Sequence, residues 1–225
     1  MTDGRALIEY LGSIKFGESV LVEYSPEAPI PIIFRETIEF LLKKYNVLIL
    51  DIFDTLHMIK EPLKIMGWNA EKLDKIDVVK AGGIINTGNI IKRIDISKDP
   101  AVYTLEFAEF MKEYYATHEL TVLIALGIDK LIRLYTNEVT SFEIHIAGVM
   151  KKFLGERSRL SLYFANMALV PKETLYEWEE IVTRVFEITL KGKMKFVIKV
   201  KKSPNIEDHG KEFVISADEL PLVKA

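Results

Sequence analysis

Cysteine is absent from the 225 residues, which removes disulfides, thiol nucleophiles and cysteine-ligated metals together. Glutamine is absent too. Avoiding thermolabile side chains while favouring Lys, Glu and Ile is a habit of hyperthermophile chains. Histidine is sparse. His57, His118, His145 and His209 stand far apart, none at zinc-ligand spacing from another ligand, and no metal is expected. Apolar runs never approach the roughly 18 residues of a membrane-spanning helix. The opening MTDGRALIEYL lacks the basic-then-apolar order of a secretion signal. These absences predict a cytoplasmic chain that does not enter a membrane. A large excess of either charge is also missing: 30 Lys and Arg against 33 Asp and Glu leave a net charge of -3. That gives no general attraction for nucleic acid, although a local basic face is compatible with it.

What is present is apolar material in short, regularly spaced blocks. At 49% hydrophobic composition, a chain of this length buries on the order of 70% of its unfolded surface. With no linker, repeat or low-complexity stretch, the expectation is one domain over residues 1–225. ESVLVEY (18–24) and NVLILDI (46–52) read as strands. Between them a helical pattern puts Phe34, Ile38, Leu41, Leu42 and Tyr45 on one side. DKIDVVKAG (74–82) and NIIKRIDIS (89–97) read as further strands, with GGIINTGN as turn material between them. Asp99-Pro100 opens a long helix, and the unbroken LTVLIALG (120–127) suits a strand buried on both faces. Residues 137–156 read as helix, RLSLYFANMAL (159–169) as strand and PKETLYEWEEIV (171–182) as a helix opening on Pro. This alternation predicts an α/β fold, a mostly parallel central sheet with helices on both faces. From Thr183 the rhythm becomes strand after strand, which predicts an antiparallel hairpin turning near Lys191-Gly192.

The segment VEYSPEAPIPIIFRETIEFLL (22–42) passes from strand through a loop into a helix, a position where many α/β proteins hold a nucleotide phosphate. The pattern G-x-x-x-x-G-K-[ST] does so through consecutive backbone N–H groups, a lysine and a hydroxyl. Aligned on the strand end, its glycines fall on Tyr24 and Pro29, its lysine on Ile30 and its hydroxyl residue on Pro31. None of the required residues is there. Pro26, Pro29 and Pro31 each remove a donor, and Glu27 brings negative charge to the place of the phosphate. Taken alone, the stretch reads as a proline-rich strand-to-helix turn. Taken as a worn phosphate loop, it has lost several charge-assisted hydrogen bonds of about 1.5–3 kcal/mol each. No nucleotide or other cofactor is expected.

Two further segments bear on that choice. LKIMGWNAEKLDKIDVVKAG (63–82) resembles the stretch after the second strand in KaiC-like ATPases of the RecA superfamily, where a Gly-Trp-Asp-like turn leads into the next strand. KFVIKVKKSPNIEDHGKEFVIS (195–216) resembles the C-terminal hairpin of the same family. The likeness is greatest to an uncharacterised Pyrococcus and Thermococcus family of KaiC-like proteins, and it implies no function. It does imply a RecA-like three-layer fold ending in an antiparallel hairpin. KaiC-like enzymes carry paired acids after the second strand to activate water. Counting back from Gly67 puts that pair on Phe53 and Asp54, so the first acid is missing. Asp54 retains the capacity to accept a proton and is also placed to cap the helix beginning TLHMIKEPL. The strand TVLIA, where the family carries its Walker B acid, continues into Leu126 and Gly127; Asp129 arrives late, placed to cap KLIRLY. Loss in three separate segments points to a retired ATPase. No G-x-S-x-G elbow or H-E-x-x-H helix replaces them, and Ser25 has no recognisable base nearby.

KGKMKFVIKVKK alternates cleanly, with Lys193, Lys195, Lys199 and Lys201 on one face and Met194, Phe196, Ile198 and Val200 on the other. Such lysines deter edge-to-edge aggregation. In KaiC-like rings the matching Lys-x-Arg step points toward a neighbour's nucleotide, and here the charges are candidates for an acidic partner surface or a nucleic-acid backbone. Ligands of open α/β sheets bind beyond the carboxyl ends of the strands. The candidates to line that crevice are Tyr24, Ser25, Ile30, Ile32, Phe53, Asp54 and Asp129. The expectation is a non-catalytic KaiC-like module that binds a protein or peptide, self-association included. The alternatives are a nucleic-acid accessory protein working through the lysine face, and a residual nucleotide-dependent enzyme relying on Asp54 and Asp129.

Overall fold

The computed structural model describes residues 3–134, 148–192 and 195–216. Helices α1 (Asp3–Leu11), α2 (Ile30–Leu41) and α3 (Thr55–Ile65) alternate with strands β1 (Ser19–Tyr24), β2 (Asn46–Ile52) and β3 (Asp77–Ala81). A 3-10 turn at Ala70–Lys75 precedes β3, and β4 (Asn89–Ile94) leads into α4 (Pro100–Thr117). Then come β5 (Thr121–Leu126), α5 (Ile128–Leu134), β6 (Arg159–Asn166) and α6 (Lys172–Ile181). Strands β7 (Arg184–Lys191), β8 (Lys195–Lys202) and β9 (Glu212–Ser216) complete the order.

Alternate side chains of these strands feed two cores, one on each face of the sheet. Val20, Val22, Val47 and Ile49 join the core under α2 and α3, while Leu21, Leu48, Leu50 and Ile52 join the one under α4 and α6. β5 is buried at every position, as an apolar run covered on both faces requires. In α2 the predicted stripe of Phe34, Ile38 and Leu41 is buried, each side chain contributing about 1.5–3 kcal/mol. Leu42 departs from the expected stripe: it is the C-cap of α2 and stays exposed. α4 begins as its sequence predicts, the Asp99 carboxylate accepting from the Ala101 N–H at 2.8 Å with Pro100 in the first turn. Helix α1 was not anticipated from sequence. It lies against the C-terminal strands, the Tyr10 ring meeting Phe186 and Phe213.

The nine described strands form one sheet in the order β4-β3-β2-β5-β6-β1-β7-β8-β9. Pairing is parallel from β4 through β7 and antiparallel for β8 and β9. β1 sits between β6 and β7, with Leu21 level with Tyr163 on one side and Val185 on the other. The chain leaves β1 in one direction along the sheet and returns past it to β7, so the sheet reverses its strand order at β1. That reversal opens a crevice beyond the carboxyl ends of the strands. Of the helical reading over 137–156, residues 148–152 are helical and residues 137–147 lie outside the described residues. Lys193 and Met194, between β7 and β8 in sequence, lie outside them as well. Among the described residues no helix is long and apolar enough to cross a membrane.

Candidate functional site

Most backbone donors of the loop from β1 to α2 are already bonded within the chain. Ser25 N–H donates to Ile188 O at 3.0 Å, Ala28 to Ser25 O at 2.9 Å and Ile30 to Ala28 O at 2.7 Å. Ile32 and Ile33 both donate to Pro29 O, at 3.0 and 3.2 Å. Prolines 26, 29 and 31 have no N–H to offer, and the α2 N-terminus carries no side-chain cap. Ile30 and Ile32, expected to line the crevice, instead belong to the core: Ile30 is buried in it and Ile32 packs against it. An apolar side chain in the first turn of α2 is drawn under the helix, away from the strand ends. Tyr24 is half-buried on the same core, and burial, with Asp129 nearby, raises the pKa of its hydroxyl.

Beyond β2 and β3 lies an ion-pair cluster. Lys80, at 1% exposure, donates to Asp51 Oδ2 at 2.6 Å and to the Asp54 carboxylate. Asp51 is fully buried, and its other oxygen accepts from the Leu56 N–H at 2.8 Å. Asp51 therefore caps α3, the role the sequence suggested for Asp54. Asp54 stands at the N-cap position with left-handed dihedrals and makes no capping bond. Its carboxylate turns instead to the 82–88 loop, accepting from the N–H groups of Ile84 and Ile85 at 3.0 Å each. Burial acts to raise the Asp54 carboxyl, but Lys80 and the two amides outweigh it and hold it below the usual carboxylate range. Gly83, at φ +75°, passes so close to this carboxylate that a Cβ would collide with it. The loop thus carries Ile84 at 93% exposure on a fixed backbone.

Asp129 is the second residue of α5 rather than its cap, and is buried. One oxygen accepts from Asn166 N–H at 3.2 Å; among the described residues the other has no hydrogen-bond partner, nor has the buried Ser25 hydroxyl. Burial raises the Asp129 carboxyl, against its backbone hydrogen bonds and Lys130. Phe53, Lys130, Arg133 and Leu169 line an open depression alongside, so Phe53 is the expected apolar residue that does face an opening. Among the described residues no group of three His, Asp or Glu side chains is placed to hold a metal ion.

The C-terminal lysines are divided by the same sheet geometry. Phe196, Ile198 and Val200 enter the core under α2, as expected, and Lys195 and Lys199 are exposed on the opposite face. Lys201 points the same way as those two but meets acids: Glu23 and Glu179 at 2.8 Å each and Glu187 at 3.8 Å. Its charge is met within the chain, which leaves Lys195 and Lys199 as the outward part of the described lysine face. Sequence reading passed over Glu23, a fully buried carboxylate in mid-strand. Burial pushes it up to about 7 despite Lys201, with Glu179 adding to the rise. Asp51 and Lys80 were passed over too. A charged residue inside the apolar runs NVLILDI and DVVKA was the signal available, since a buried charge requires a partner.

A largely parallel sheet reversing at a strand-to-helix loop, with an antiparallel C-terminal hairpin, is an α/β architecture of RecA-like type. Within that class, the chain belongs to the family described as Pyrococcus protein of unknown function, DUF257, whose pattern matches residues 9–214. It is similar to PH0250 from Pyrococcus horikoshii, at 25% identity over 96% of this chain and 98% of that one, with a TM-score of 0.76. The KaiC-like protein PH0186 from the same organism shares 13% identity over 92% of each chain, TM-score 0.61. The flagellar accessory protein FlaH from Methanocaldococcus jannaschii shares 17% identity over 93% of this chain and 89% of its own, TM-score 0.60. These last two likenesses are of fold. No curated protein matches the chain.

Proposed function

We propose that this chain is a non-catalytic KaiC-like module that has given up ATP binding and docks a protein or peptide at the strand-end crevice. The observation that carries the reading is the β1–α2 loop, where three prolines lack donors and the N–H groups of Ser25, Ala28, Ile30, Ile32 and Ile33 are already bonded within the chain. A phosphate arriving there would have to break several of these bonds before forming its own, with no lysine in the loop to offset the cost. The docking half of the reading rests on the 82–88 loop. Asp54, which the resemblance to KaiC-like enzymes places at the second of their paired acids, is used to hold Ile84 and Ile85 in place. A well-fixed, exposed isoleucine is suited to insertion into an apolar hollow on a partner.

The test has two arms. Titration calorimetry with MgATP should show no binding at millimolar nucleotide, and micromolar binding would overturn the loss of ATP. A photo-crosslinking residue at position 85 should capture one defined protein from native-source lysate after nuclease treatment, and Ile84→Asp should abolish that capture. Capture that is unchanged by Ile84→Asp, or that disappears with nuclease, would overturn the docking reading.

A further inference from the structure

Arg159 opens β6 as a buried cation, at 1% exposure. Its Nη1 donates to the Ser161 hydroxyl, two residues along the same strand face. Its Nε and Nη2, which together form one edge of the planar guanidinium, are closed to solvent and have no hydrogen-bond partner among the described residues. The Ser19 hydroxyl is in the same condition, and Ser19 is level with Ser161 on the neighbouring strand β1. The backbone of Ser19 is satisfied, its N–H donating to Thr183 Oγ1 at 3.0 Å and its carbonyl accepting from that hydroxyl at 2.9 Å, so only the side chain is left over. The Phe153 ring closes the region, 5.2 Å from the guanidinium carbon and edge-on to Tyr115. Burial raises the Tyr115 hydroxyl, against the pull of Arg159 and Ser161, and leaves it a neutral donor. Apart from Arg159 itself, every side chain in these contacts is uncharged. A guanidinium keeps its proton at any ordinary pH, so burial does not neutralise it as it neutralises a lysine. A buried charge requires an opposite one.

We propose that this cluster is an internal anion site that takes one chloride-sized, monovalent anion. The free guanidinium edge presents two N–H groups side by side, the arrangement that grips an anion from two donors at once, and the Ser19 and Tyr115 hydroxyls add neutral donors. The size of the ligand follows from the enclosure: Nε, Nη2 and the Ser19 hydroxyl are all shut off from solvent, which favours a bare halide over a phosphate ester. Ser19 and Arg159 stand on strands that meet only in the finished sheet, so the folded chain binds the anion, the unfolded chain does not, and binding adds to stability. The site lies at the amino-terminal ends of β1 and β6, the opposite end of the strands from the docking crevice, and does not depend on that reading.

The experiment is urea unfolding of the intact chain at fixed ionic strength, with chloride exchanged for gluconate, an anion too large for the enclosure. Tenfold more chloride should raise the folded-to-unfolded ratio several-fold, up to the roughly tenfold limit of one filled site. Arg159→Met removes the charge and with it the need for a counter-ion, and should show no specific response to chloride. Crystals of the parent protein grown in bromide should scatter anomalously beside Nε and Nη2, an arm that decides the matter even where the variant does not fold. A folded-to-unfolded ratio that ignores chloride, or that responds equally in Arg159→Met, overturns the proposal. Bromide missing from the guanidinium edge and found on exposed lysines, an adventitious ion only, overturns it as well.

Discussion

Glu23 offers the most quantitative test of the electrostatics. It is fully buried in β1, one carboxylate oxygen has no partner, and the other accepts from Lys201 at 2.8 Å. Glu179 and Glu187 also face Lys201, so three acids share one ammonium. The folded carboxyl titrates at about 7, against about 4.3 for an unfolded glutamate. Folding therefore tightens the hold on this proton. The associated stability is complete below the unfolded value and is lost as pH rises through the folded one. At about 1.36 kcal/mol per pH unit, the loss between pH 4.3 and pH 7 has a ceiling of about 3.7 kcal/mol, reduced because Lys201 and Glu179 take part in the same titration. Glu23→Gln replaces the carboxyl with a group that does not titrate. Urea unfolding of both proteins at pH 5 and pH 8 isolates the effect, since any fixed cost of the amide cancels in the comparison. The variant should gain on the parent by about 2–3 kcal/mol between the two pH values. A difference between the proteins that is the same at pH 5 and pH 8 would falsify the assignment.

Other outcomes follow from the second ion-pair cluster and the core. Lys80→Met strands the buried Asp51 carboxylate and should cost about 3–5 kcal/mol in chemical unfolding, most of it regained in the Asp51→Asn/Lys80→Met double variant; no recovery in the double variant would count against a charge-driven cost. Asp54→Asn weakens the bonds to Ile84 and Ile85, so hydrogen exchange at those two amides should accelerate about tenfold or more, the factor for roughly 1.4 kcal/mol. Gly83→Ala, which drives a methyl into the same carboxylate, should produce the same local exchange. Because Asp54 titrates below the usual range, its contribution is present above that range and is lost as pH falls through the folded value; loop protection that survives full acid titration would contradict this. Trp178, at 1% exposure under the sheet, should cost about 3–5 kcal/mol on truncation to Ala, and a cost under about 1 kcal/mol would mean that face is loosely packed.

The strand blocks and their alternation with helices were legible because a sheet covered on both faces leaves unbroken apolar runs, and β5 is the clearest example. Helix α1 was missed because it is short: nine residues hold a helix only through tertiary contact, here Ala6, Leu7, Tyr10 and Leu11 packing on the core and Tyr10 meeting strands nearly two hundred positions away. Asp54 could be singled out from its spacing to Gly67, but its partners could not be found. Lys80 and Ile84 come beside it only because β2 and β3 pair in parallel with Asp51 level with Lys80, a relation across space that no local spacing encodes. That Ile30 is buried and Ile32 packs on the core could not be read locally for a related reason. The sequence shows where α2 begins, and helical phase against the sheet decides which way its first side chains turn.

The position of β1 bears on how the chain is made. Both of its neighbours come late, since Ser19 pairs with Ser161 and Val20 with Arg184. At ordinary elongation rates the ribosome needs on the order of ten seconds to travel from the first of these residues to the last. Through that interval β1, an interior strand of the finished sheet, has two bare edges, among the conditions most favourable to aggregation. Newly made chains are thus most in need of a chaperone before β6 emerges, and a nascent chain arrested there should be the form that chaperones hold longest.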